Sequence, residues 1–339
     1  MKYNLLGNTG VLVSEIALGT MTFGGGSQWG VFGSLDEQEA GLLVDQAMDT
    51  GVNFFDTANI YADGRSEEIL GKTLKTKRHQ AVIATKVRGR MGPGPNELGL
   101  SRLHIIRQVE ESLRRLGTDY IDLYQIHNPD QLTDWEETLR ALDDLVRSGK
   151  VRYIGSSNMT GWSLMKTRGL SQLHGLHAFK SSQSYYSLAA REIEREIIPA
   201  LRDQNMGLIV WSPLAGGFLS GKYTRDNLND SIGRHAKLAF PPVDLEKVFP
   251  ILDVLRDIAA ARETTVARVA LAWLLHQPAV TSVIVGAKRP EQLHDNLAAS
   301  GIVLQPDELS RLDEVSRLPI EYPAWPFMEE DDSIIRKLS

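Results

Sequence analysis

The 339-residue sequence contains no cysteine, which excludes disulfide bonds and metal sites built on thiolate ligands. It also lacks any apolar stretch near the roughly 20 residues that a membrane-spanning helix needs. The N-terminal residues Met1-Lys2-Tyr3-Asn4 do not show the charged and then apolar pattern of a secretion signal. We therefore expect a cytoplasmic protein without a membrane partner.

Positive charge is in the minority, with 37 Lys and Arg against 43 Asp and Glu and a net charge of −6. Proteins that bind nucleic acids usually carry a basic excess, so a nucleic-acid partner is not expected. The sequence also offers no convincing metal-ligand set. Its closest candidate pair, His174 and His177, lies in a predicted loop without cysteine or acidic partners and is interpreted as surface. We predict no metal site.

Two glycine-rich stretches look like nucleotide-binding motifs, but neither matches such a motif completely. Residues 19–26 hold four glycines after a predicted strand, but they do not match the GxGxxG fingerprint of doubly wound dinucleotide-binding folds. Residues 216–222 match GxxxxGK, yet Tyr223 stands where a nucleotide triphosphatase needs Ser or Thr to bind magnesium. We instead predict a loop that folds over a pyrophosphate, with Lys222 as its cation.

What the chain does contain is a regular alternation of short apolar runs and amphipathic stretches. The predicted helices cover residues 35–50, 66–74, 101–116, 134–148, 161–168, 191–203, 290–299 and 306–317. The eight predicted strands cover residues 15–18, 53–56, 81–85, 121–126, 151–155, 179–182, 207–211 and 282–286. This order predicts an α/β fold, a (β/α)8 TIM barrel with an N-terminal β-hairpin over residues 3–13 and an extra C-terminal helix.

The barrel is expected to form a single domain over residues 1–317. Residues 318–339 break the pattern, because prolines alternate with aromatic residues there and four acidic residues follow. This tail is expected either to fold across the barrel mouth or to pack elsewhere, for example against another subunit.

Polar residues stand where three of these apolar runs end. Asp56, Lys86 and His127 close the second, third and fourth predicted strands, and Tyr61 follows in the first of the connecting loops. Parallel barrel strands bring their carboxyl ends to one face, so these four side chains are expected to meet. Taken alone, each residue is as easily a buried ion pair, a loop aromatic or a core histidine. Together they predict a site.

These four groups suit the reduction of a carbonyl. A free tyrosine has a pKa of about 10, and an ammonium within hydrogen-bond reach is expected to lower it by about 1–3 units. Asp56 would hold Lys86 charged, Lys86 would tune Tyr61, and His127 would orient the carbonyl oxygen. The phenol then acts as a general acid toward an oxygen that gains negative charge.

The later strand ends are suited to a hydride-donating cofactor. Ser157, Asn158 and Gln183 can hold a primary amide such as that of nicotinamide, and Trp211 can stack on a flat ring. Residues 286–289, where Lys and Arg follow Gly and Ala, precede a helix that begins at Pro290, which is typical of an anion site. Barrels often bind phosphate after their seventh and eighth strands.

The sequence resembles the aldo-keto reductases over nearly its whole length. The resemblance is carried by residues 53–61, 84–86, 125–127, 155–158 and 211–214. The resemblance implies a catalytic tetrad of Asp56, Tyr61, Lys86 and His127, a small carbonyl or alcohol substrate and a nicotinamide cofactor. The implied cofactor contacts are Gly19, Thr20, Met21, Asp56, Ser157, Asn158, Gln183, Trp211, Ser212, Pro213, Leu214, Gly216, Lys222, Gly286, Lys288, Gln292, Asp295 and Asn296.

The sequence departs from the mammalian-type members at the adenosine-phosphate segment. Gly286-Ala287 stands where they carry Lys-Ser, and Gln292 where they carry Arg. In this segment the sequence is similar to the bacterial reductases and the potassium-channel β-subunits. Lys288, Arg289 and Arg234 still offer cations for a 2′-phosphate, so we expect NADPH and NADP+, with NADH possible.

The resemblance to channel subunits leaves an alternative function open. A cofactor-binding redox sensor or channel-type auxiliary subunit with weak turnover would share the same site, although no amphipathic segment precedes the predicted hairpin. A metal-dependent barrel hydrolase is a third interpretation and lacks visible ligands. Met21, Trp29, Trp325 and the loop at residues 88–99 are expected to form a roomy apolar substrate pocket, whereas the substrate and the oligomeric state do not follow from the sequence.

Overall fold

A closed barrel of eight parallel strands forms the centre of the computed structural model, which describes residues 1–26, 30–225, 238 and 240–323. The strands follow one another around the barrel in chain order, and the last pairs with the first. The predicted (β/α)8 fold is therefore confirmed. In chain order the barrel strands are β3 (Ile16–Gly19), β4 (Phe54–Asp56), β5 (Val82–Val87), β6 (Ile121–Ile126), β7 (Val151–Ser157), β8 (Ser181–Tyr185), β9 (Gly207–Trp211) and β10 (Val280–Val285).

The predicted N-terminal hairpin precedes the barrel as β1 (Tyr3–Leu5) and β2 (Leu12–Ser14), which pair antiparallel. Leu6 and Val13 are fully buried and pack against interior residues such as Phe54 and Leu123. The hairpin thus adds apolar side chains to the barrel interior. Because apolar side chains fill that part of the barrel, polar chemistry is left to the opposite, carboxyl ends of the strands.

Helices surround the barrel and bury one face each. Two begin at capping side chains: the Asp36 carboxylate accepts from Glu39 N, and Ser101 Oγ accepts from His104 N. Such side chains satisfy backbone N–H groups that have no partner within the helix. The described helices are α1 (Glu37–Asp49), α2 (Arg65–Leu74), α3 (Arg102–Leu116), α4 (Trp135–Arg147), α5 (Gly161–His174), α6 (Ile197–Asp203), α7 (Leu245–Ala261), α8 (Val266–Leu275), α9 (Pro290–Leu297) and α10 (Pro306–Ser316).

Four parts of the secondary structure differ from the prediction. The helix predicted over 191–203 is α-helical only over Ile197–Asp203, after a 3-10 turn at Glu192–Glu194. The sixth barrel strand is Ser181–Tyr185 rather than 179–182, because its buried face is made of Ser and Gln side chains that carry no apolar pattern. Helix α5 continues to His174 instead of stopping near 168. Helices α7 and α8, between β9 and β10, were not predicted, although α8 is an almost continuous apolar run.

Most of the C-terminal tail and three residues of interest fall outside the described residues. These residues are Trp29, Arg234 and Trp325, which the sequence analysis assigned to the substrate pocket or to the cofactor phosphate. Of the tail, residues 318–323 are described, and Glu321 forms an ion pair with Arg195 at 2.7 Å. Tyr322 is exposed. Whether the tail covers the barrel mouth stays a prediction.

Candidate active site

Asp56, Lys86 and His127 meet at the carboxyl ends of three neighbouring strands. Asp56 is the last residue of β4, Lys86 the penultimate residue of β5, and His127 directly follows β6. Asp56 and Lys86 are buried, and Lys86 has no exposed surface at all. The parallel register places the three strand ends side by side, as the sequence predicted.

The Lys86 ammonium is held by three oxygen atoms. Lys86 Nζ donates to Asp56 Oδ2 at 2.5 Å, to the Thr57 carbonyl at 2.8 Å and to Tyr61 Oη at 3.3 Å. A buried ammonium has three donors to satisfy, and these contacts use all of them. The carboxylate, ammonium and phenol therefore form one connected hydrogen-bonded chain.

The second carboxylate oxygen of Asp56 is also occupied. Gln183 Nε2 donates to Asp56 Oδ1 at 2.7 Å, and Gln125 Nε2 lies 3.4 Å from the same atom. Gln183 was predicted to contact the cofactor; it lines the cavity, and its amide group also supports the carboxylate. Gln125 was not predicted as a site residue. Nothing in its position within a strand distinguishes it from a core residue until the barrel brings it beside Asp56.

Tyr61 stands on an unusually shaped turn between β4 and α2. The three residues that follow it, Ala62, Asp63 and Gly64, all have positive φ angles of 48°, 55° and 95°. Non-glycine residues in this region cost of order 1–3 kcal/mol each, so the surrounding structure must hold the turn in place. Ser66 Oγ does part of this by donating to the Thr20 carbonyl at 2.8 Å.

Burial raises the pKa of the Tyr61 phenol above its ordinary value of 10.0. The Lys86 charge opposes this effect, the Asp56 carboxylate reinforces it, and the hydrogen bond from Lys86 opposes it again. The prediction that Lys86 would bring the pKa below 10 is therefore wrong for this structure, because desolvation of the phenolate outweighs the ammonium. Tyr61 is protonated at neutral pH.

Lys86 and His127, the two bases beside Tyr61, differ in protonation state. Burial disfavours the charged form of Lys86, but the Asp56 carboxylate and Tyr61 together outweigh it and raise the pKa of Lys86. For His127, burial acts first and the charges of Lys86 and Arg88 add to it, which lowers the pKa from 6.5 to about 3. At neutral pH, Lys86 is an ammonium and His127 is a neutral imidazole.

These residues open into a cavity of about 1370 Å³ above the strand ends. Ordinary small-molecule sites occupy about 300–1,000 Å³, so this one is large enough for more than one small ligand. Asp56, Tyr61 and His127 line it, whereas Lys86 lies behind them. Every predicted cofactor residue except Asp295 also lines the cavity.

A hydrogen-bonded row joins the predicted amide-binding residues. Ser157 Oγ donates to the Gln183 carbonyl at 2.9 Å, Asn158 Nδ2 to the His127 carbonyl at 3.0 Å, and Trp211 Nε1 to Asn158 Oδ1 at 3.0 Å. This row ties together the carboxyl ends of β6, β7, β8 and β9. It holds in place the side chains that line the cavity at the ends of these strands.

Trp211 itself stacks on two aromatic residues of the protein. The centre of its ring lies 5.0 Å from that of Tyr185, at an angle of 28° between the rings, and 5.8 Å from that of Phe240, at an angle of 12°. Neither partner was predicted, since Phe240 is distant in sequence from every strand end. A flat ligand ring that stacked on the face covered by Phe240 would have to replace Phe240 there.

Positive charge collects at the far end of the cavity, after β9 and β10. The backbone after Trp211 takes positive φ angles at Ser212, Ala215, Gly216 and Gly217, and the N–H groups of the last three donate hydrogen bonds within the loop itself. Lys222, Lys288 and Arg289 add cations to the lining. Lys288 N is also capped by Gln292 Oε1 at 3.0 Å, just before α9 begins.

Three predictions for individual residues are corrected or refined by the structure. The Asp295 carboxylate accepts from Thr265 Oγ1 at 2.9 Å and pairs with Arg268 at 2.8 Å, outside the cavity lining. His177 has an acidic partner after all, since Asp143 Oδ1 lies 2.6 Å from its Nδ1. Tyr223, which directly follows the GxxxxGK stretch, is buried and stacks on Phe218 at 4.5 Å between ring centres.

Comparison with known proteins decides between the fold's many possible chemistries. A model of the Aldo/keto reductase family matches residues 15–317. The chain belongs to this family. Members of the family generally use NAD(P)H, and this reductase is an oxidoreductase that acts on carbonyl groups. In the described part of the reductase, no helix is both long and apolar enough to cross a membrane.

Several curated relatives match this reductase along almost its full length. An uncharacterized oxidoreductase of Bacillus subtilis, YrpG, is 40% identical over 93% of this chain and 96% of its own. The versiconal hemiacetal acetate reductase of Aspergillus parasiticus is 37% identical over 93% of this chain and 96% of its own. A probable voltage-gated potassium channel subunit beta of Arabidopsis thaliana is 36% identical, also over 93% and 96%.

Proposed function

We propose that this reductase converts aldehydes and ketones reversibly to alcohols by hydride transfer from NADPH, with Tyr61 as general acid and base. The observation that carries the proposal is the contact between Lys86 Nζ and Tyr61 Oη at 3.3 Å, with Lys86 anchored on Asp56. This contact places a protonated phenol at the cavity wall with a fixed cation behind it. A proton donor so arranged suits an oxygen that becomes negative.

Tyr61 donates its proton to the carbonyl oxygen as that oxygen gains charge, or removes a proton from the alcohol in the reverse direction. The raised pKa keeps the phenol protonated at rest, so the acid is ready at neutral pH. When the proton leaves, the Lys86 ammonium stabilises the phenolate that remains. Asp56 keeps that ammonium charged and aimed, and the two glutamines keep Asp56 in place.

His127 orients the carbonyl rather than protonating it. With a pKa of about 3 its imidazole is neutral at physiological pH, so it can donate one N–H hydrogen bond but has no surplus proton to give. Its ring stands edge-on to the ring of Tyr61, with 5.8 Å between the ring centres. A carbonyl oxygen near both rings would receive hydrogen bonds from both.

The residues of the cavity fit a nicotinamide dinucleotide. When bound, the dinucleotide supplies the hydride. The Ser157, Asn158 and Gln183 row offers polar groups for its amide, and Lys222, which lines the cavity after β9, offers a cation for its pyrophosphate. Lys288 and Arg289, with Gln292 and Asn296 beside them, offer the charge for a 2′-phosphate. We therefore favour NADPH over NADH.

The deciding experiment removes only the phenolic oxygen of Tyr61. In Tyr61→Phe we expect kcat for a simple aromatic aldehyde with NADPH to fall by about 10²–10⁴-fold, the usual contribution of a general acid. Tyr120→Phe is the matched control, because Tyr120 lies just before β6 at the other end of the strands. Full activity in Tyr61→Phe would refute the assigned role.

A second candidate function is favoured by the similarity to channel β-subunits: a cofactor-binding sensor or auxiliary subunit whose turnover is incidental. Both functions use the same cavity, so turnover rate separates them. An enzyme should reduce a simple aromatic aldehyde with kcat on the order of 1 s⁻¹ or more. Tight NADP+ binding combined with turnover slower by several orders of magnitude would favour the sensor.

A further inference from the structure

Arg88 is a cation at the mouth of the cavity to which the proposed reaction gives no role. It is the first residue after β5 and lines the cavity next to His127. In the strand order, β4, β5 and β6 carry Tyr61, Arg88 and His127, whereas the proposed cofactor residues follow β7 to β10 and β3. Arg88 therefore stands on the substrate side of the cavity.

The backbone of Arg88 is strained. Its φ angle is +146°, in a region that is occupied almost only by glycine. A glycine follows directly at position 89, so the chain had a residue suited to such a conformation one step away. Strain of this kind persists where surrounding contacts enforce it and is common at ligand sites.

The side chain of Arg88 also lacks partners. Among the described residues it makes no ion pair and donates no hydrogen bond, and its Nε is buried without an acceptor. The buried N–H of a guanidinium normally has an acceptor, because leaving it unsatisfied costs free energy. A ligand acceptor in the cavity would supply what the protein does not.

Two carboxylates of this region, Asp130 and Asp56, are already engaged by other groups. Asp130 lies within electrostatic range, but its Oδ2 accepts from Leu100 N and Thr133 Oγ1, both at 2.7 Å, and its Oδ1 from Leu132 N at 3.0 Å. Asp56 is paired with Lys86. Neither carboxylate forms an ion pair with Arg88 in the described part of the chain, so its charge remains available to a ligand.

The rest of the substrate side is mainly apolar. Val31, Phe32 and Ile60 line the cavity together with Arg88. An apolar wall that ends in one guanidinium suits a molecule with an apolar body and one anionic end. The planar guanidinium binds a carboxylate with two parallel hydrogen bonds, a geometry that a lysine cannot reproduce.

We propose that Arg88 is a specificity-determining residue that binds a carboxylate on the substrate, so that this reductase prefers carbonyl compounds with an apolar or aromatic body and a carboxylate at the far end. The inference rests on the proposed carbonyl reduction and names its substrate class. Arg88 acts by binding and does not exchange a proton with the carbonyl.

The test compares 4-carboxybenzaldehyde with methyl 4-formylbenzoate, which have the same ring and carbonyl but differ in charge. We expect the wild type to show the higher kcat/KM with the acid. In Arg88→Met the ratio of kcat/KM, acid over ester, should fall by about 10–100-fold, the range expected for one charge-assisted contact. Arg88→Lys should recover part of the ratio, since it keeps the charge but not the fork.

Arg90→Met is the matched control, because Arg90 belongs to the same loop, is exposed and does not line the cavity. It removes the same charge from the surface, and also hydrogen bonds to the Gly92 and Gly94 carbonyls within the loop. We expect it to change the ratio by less than about twofold, as for other surface charges. An equal loss of ratio in Arg90→Met would assign the effect to the loop or to net charge and overturn the inference.

The remaining outcomes separate the two proposals. A wild type that reduces neither aldehyde with NADPH or NADH contradicts the proposed function itself. If the wild type reduces both aldehydes, and Arg88→Met and Arg88→Lys keep the wild-type ratio of kcat/KM, the role of Arg88 is contradicted. The proposed carbonyl reduction is then unaffected. If Arg88→Met does not fold, the ratio measured in Arg88→Lys decides, because the loss of bidentate binding should lower it by itself.

Discussion

The neutral His127 imidazole is set by burial beside two cations, Lys86 and Arg88, and this links the site to pH. The pKa of His127 is about 3 in the folded protein and 6.5 as the ordinary value, so between these pH values the unfolded chain binds the extra proton. Stability from this residue is therefore fully present above about pH 6.5 and is lost as the pH falls toward 3.

His127→Asn, which replaces the imidazole by a side chain that does not titrate, tests this linkage. Between pH 7 and pH 5 we expect the free energy of unfolding of the wild type to fall by about 1–2 kcal/mol more than that of the variant. Urea denaturation at several pH values measures the difference. His104, whose pKa burial also lowers, titrates in both proteins and cancels. Parallel curves would contradict the assigned pKa.

The strained backbone of Arg88 lowers the stability of the folded protein, although its side chain is proposed to bind the substrate. In Arg88→Gly the strain of about 1–3 kcal/mol should be relieved, against a loss of roughly 0.5–1 kcal/mol for the greater freedom of glycine in the unfolded chain. We expect Arg88→Gly to be more stable than Arg88→Met by up to about 2 kcal/mol, as measured by chemical denaturation. Arg88→Met keeps the strain and serves as the comparison. The reverse order would show that the φ angle costs nothing.

At the level of secondary-structure elements, an ion pair between α2 and α3 supports the turn that carries Tyr61. Arg115 Nε pairs with Glu67 at 2.7 Å, and both side chains are buried. Glu67 also accepts from Thr85 Oγ1 at 2.5 Å, which joins the pair to β5. A Cβ on Gly64 would lie 2.7 Å from Arg115 Cδ, so the arginine packs directly against the turn.

Arg115→Met should leave the Glu67 carboxylate buried without its partner. Breaking a buried ion pair in this way typically costs 3–5 kcal/mol, so we expect a loss of about that size in the free energy of unfolding. Arg114→Met is the control in the same helix, because Arg114 is exposed and forms a surface ion pair with Glu111; its cost should stay below about 1 kcal/mol. Similar losses in both variants would show that the α2–α3 pair is not special.

At the scale of the whole molecule, the site exists only when the barrel closes, since its residues come from strands that lie far apart along the chain. A dinucleotide bound across the barrel top must therefore favour the folded state. At a concentration of about 100 times its Kd, NADP+ should raise the free energy of unfolding by about 2.7 kcal/mol. Thermal denaturation with and without NADP+ measures this.

Two comparisons make that measurement specific. NAD+ at the same concentration should stabilise less, because it offers no 2′-phosphate to Lys288 and Arg289. Lys288→Met should reduce the difference between the two dinucleotides, because Lys288 supplies part of the charge at that end of the cavity. Equal stabilisation by both dinucleotides in the wild type would contradict the preference for NADPH.

The sequence by itself determined the barrel and the meeting of four reactive residues. Strand and helix periodicity predicted the alternation, and a closed parallel barrel brings every strand end to one face, so Asp56, Lys86 and His127 had to be neighbours. Tyr61 followed because its loop starts from the same face. These inferences need only local pattern and chain topology.

Only the tertiary structure decided how those residues behave. Burial outweighs Lys86 and raises the pKa of Tyr61, and burial together with two cations keeps His127 neutral. The contact of Gln183 with Asp56, and the lack of any such partner for Arg88 among the described residues, likewise depend on which side chains the closed barrel sets within a few ångströms. Desolvation and hydrogen-bond satisfaction depend on all surrounding atoms, most of them distant in sequence, and no local pattern encodes them.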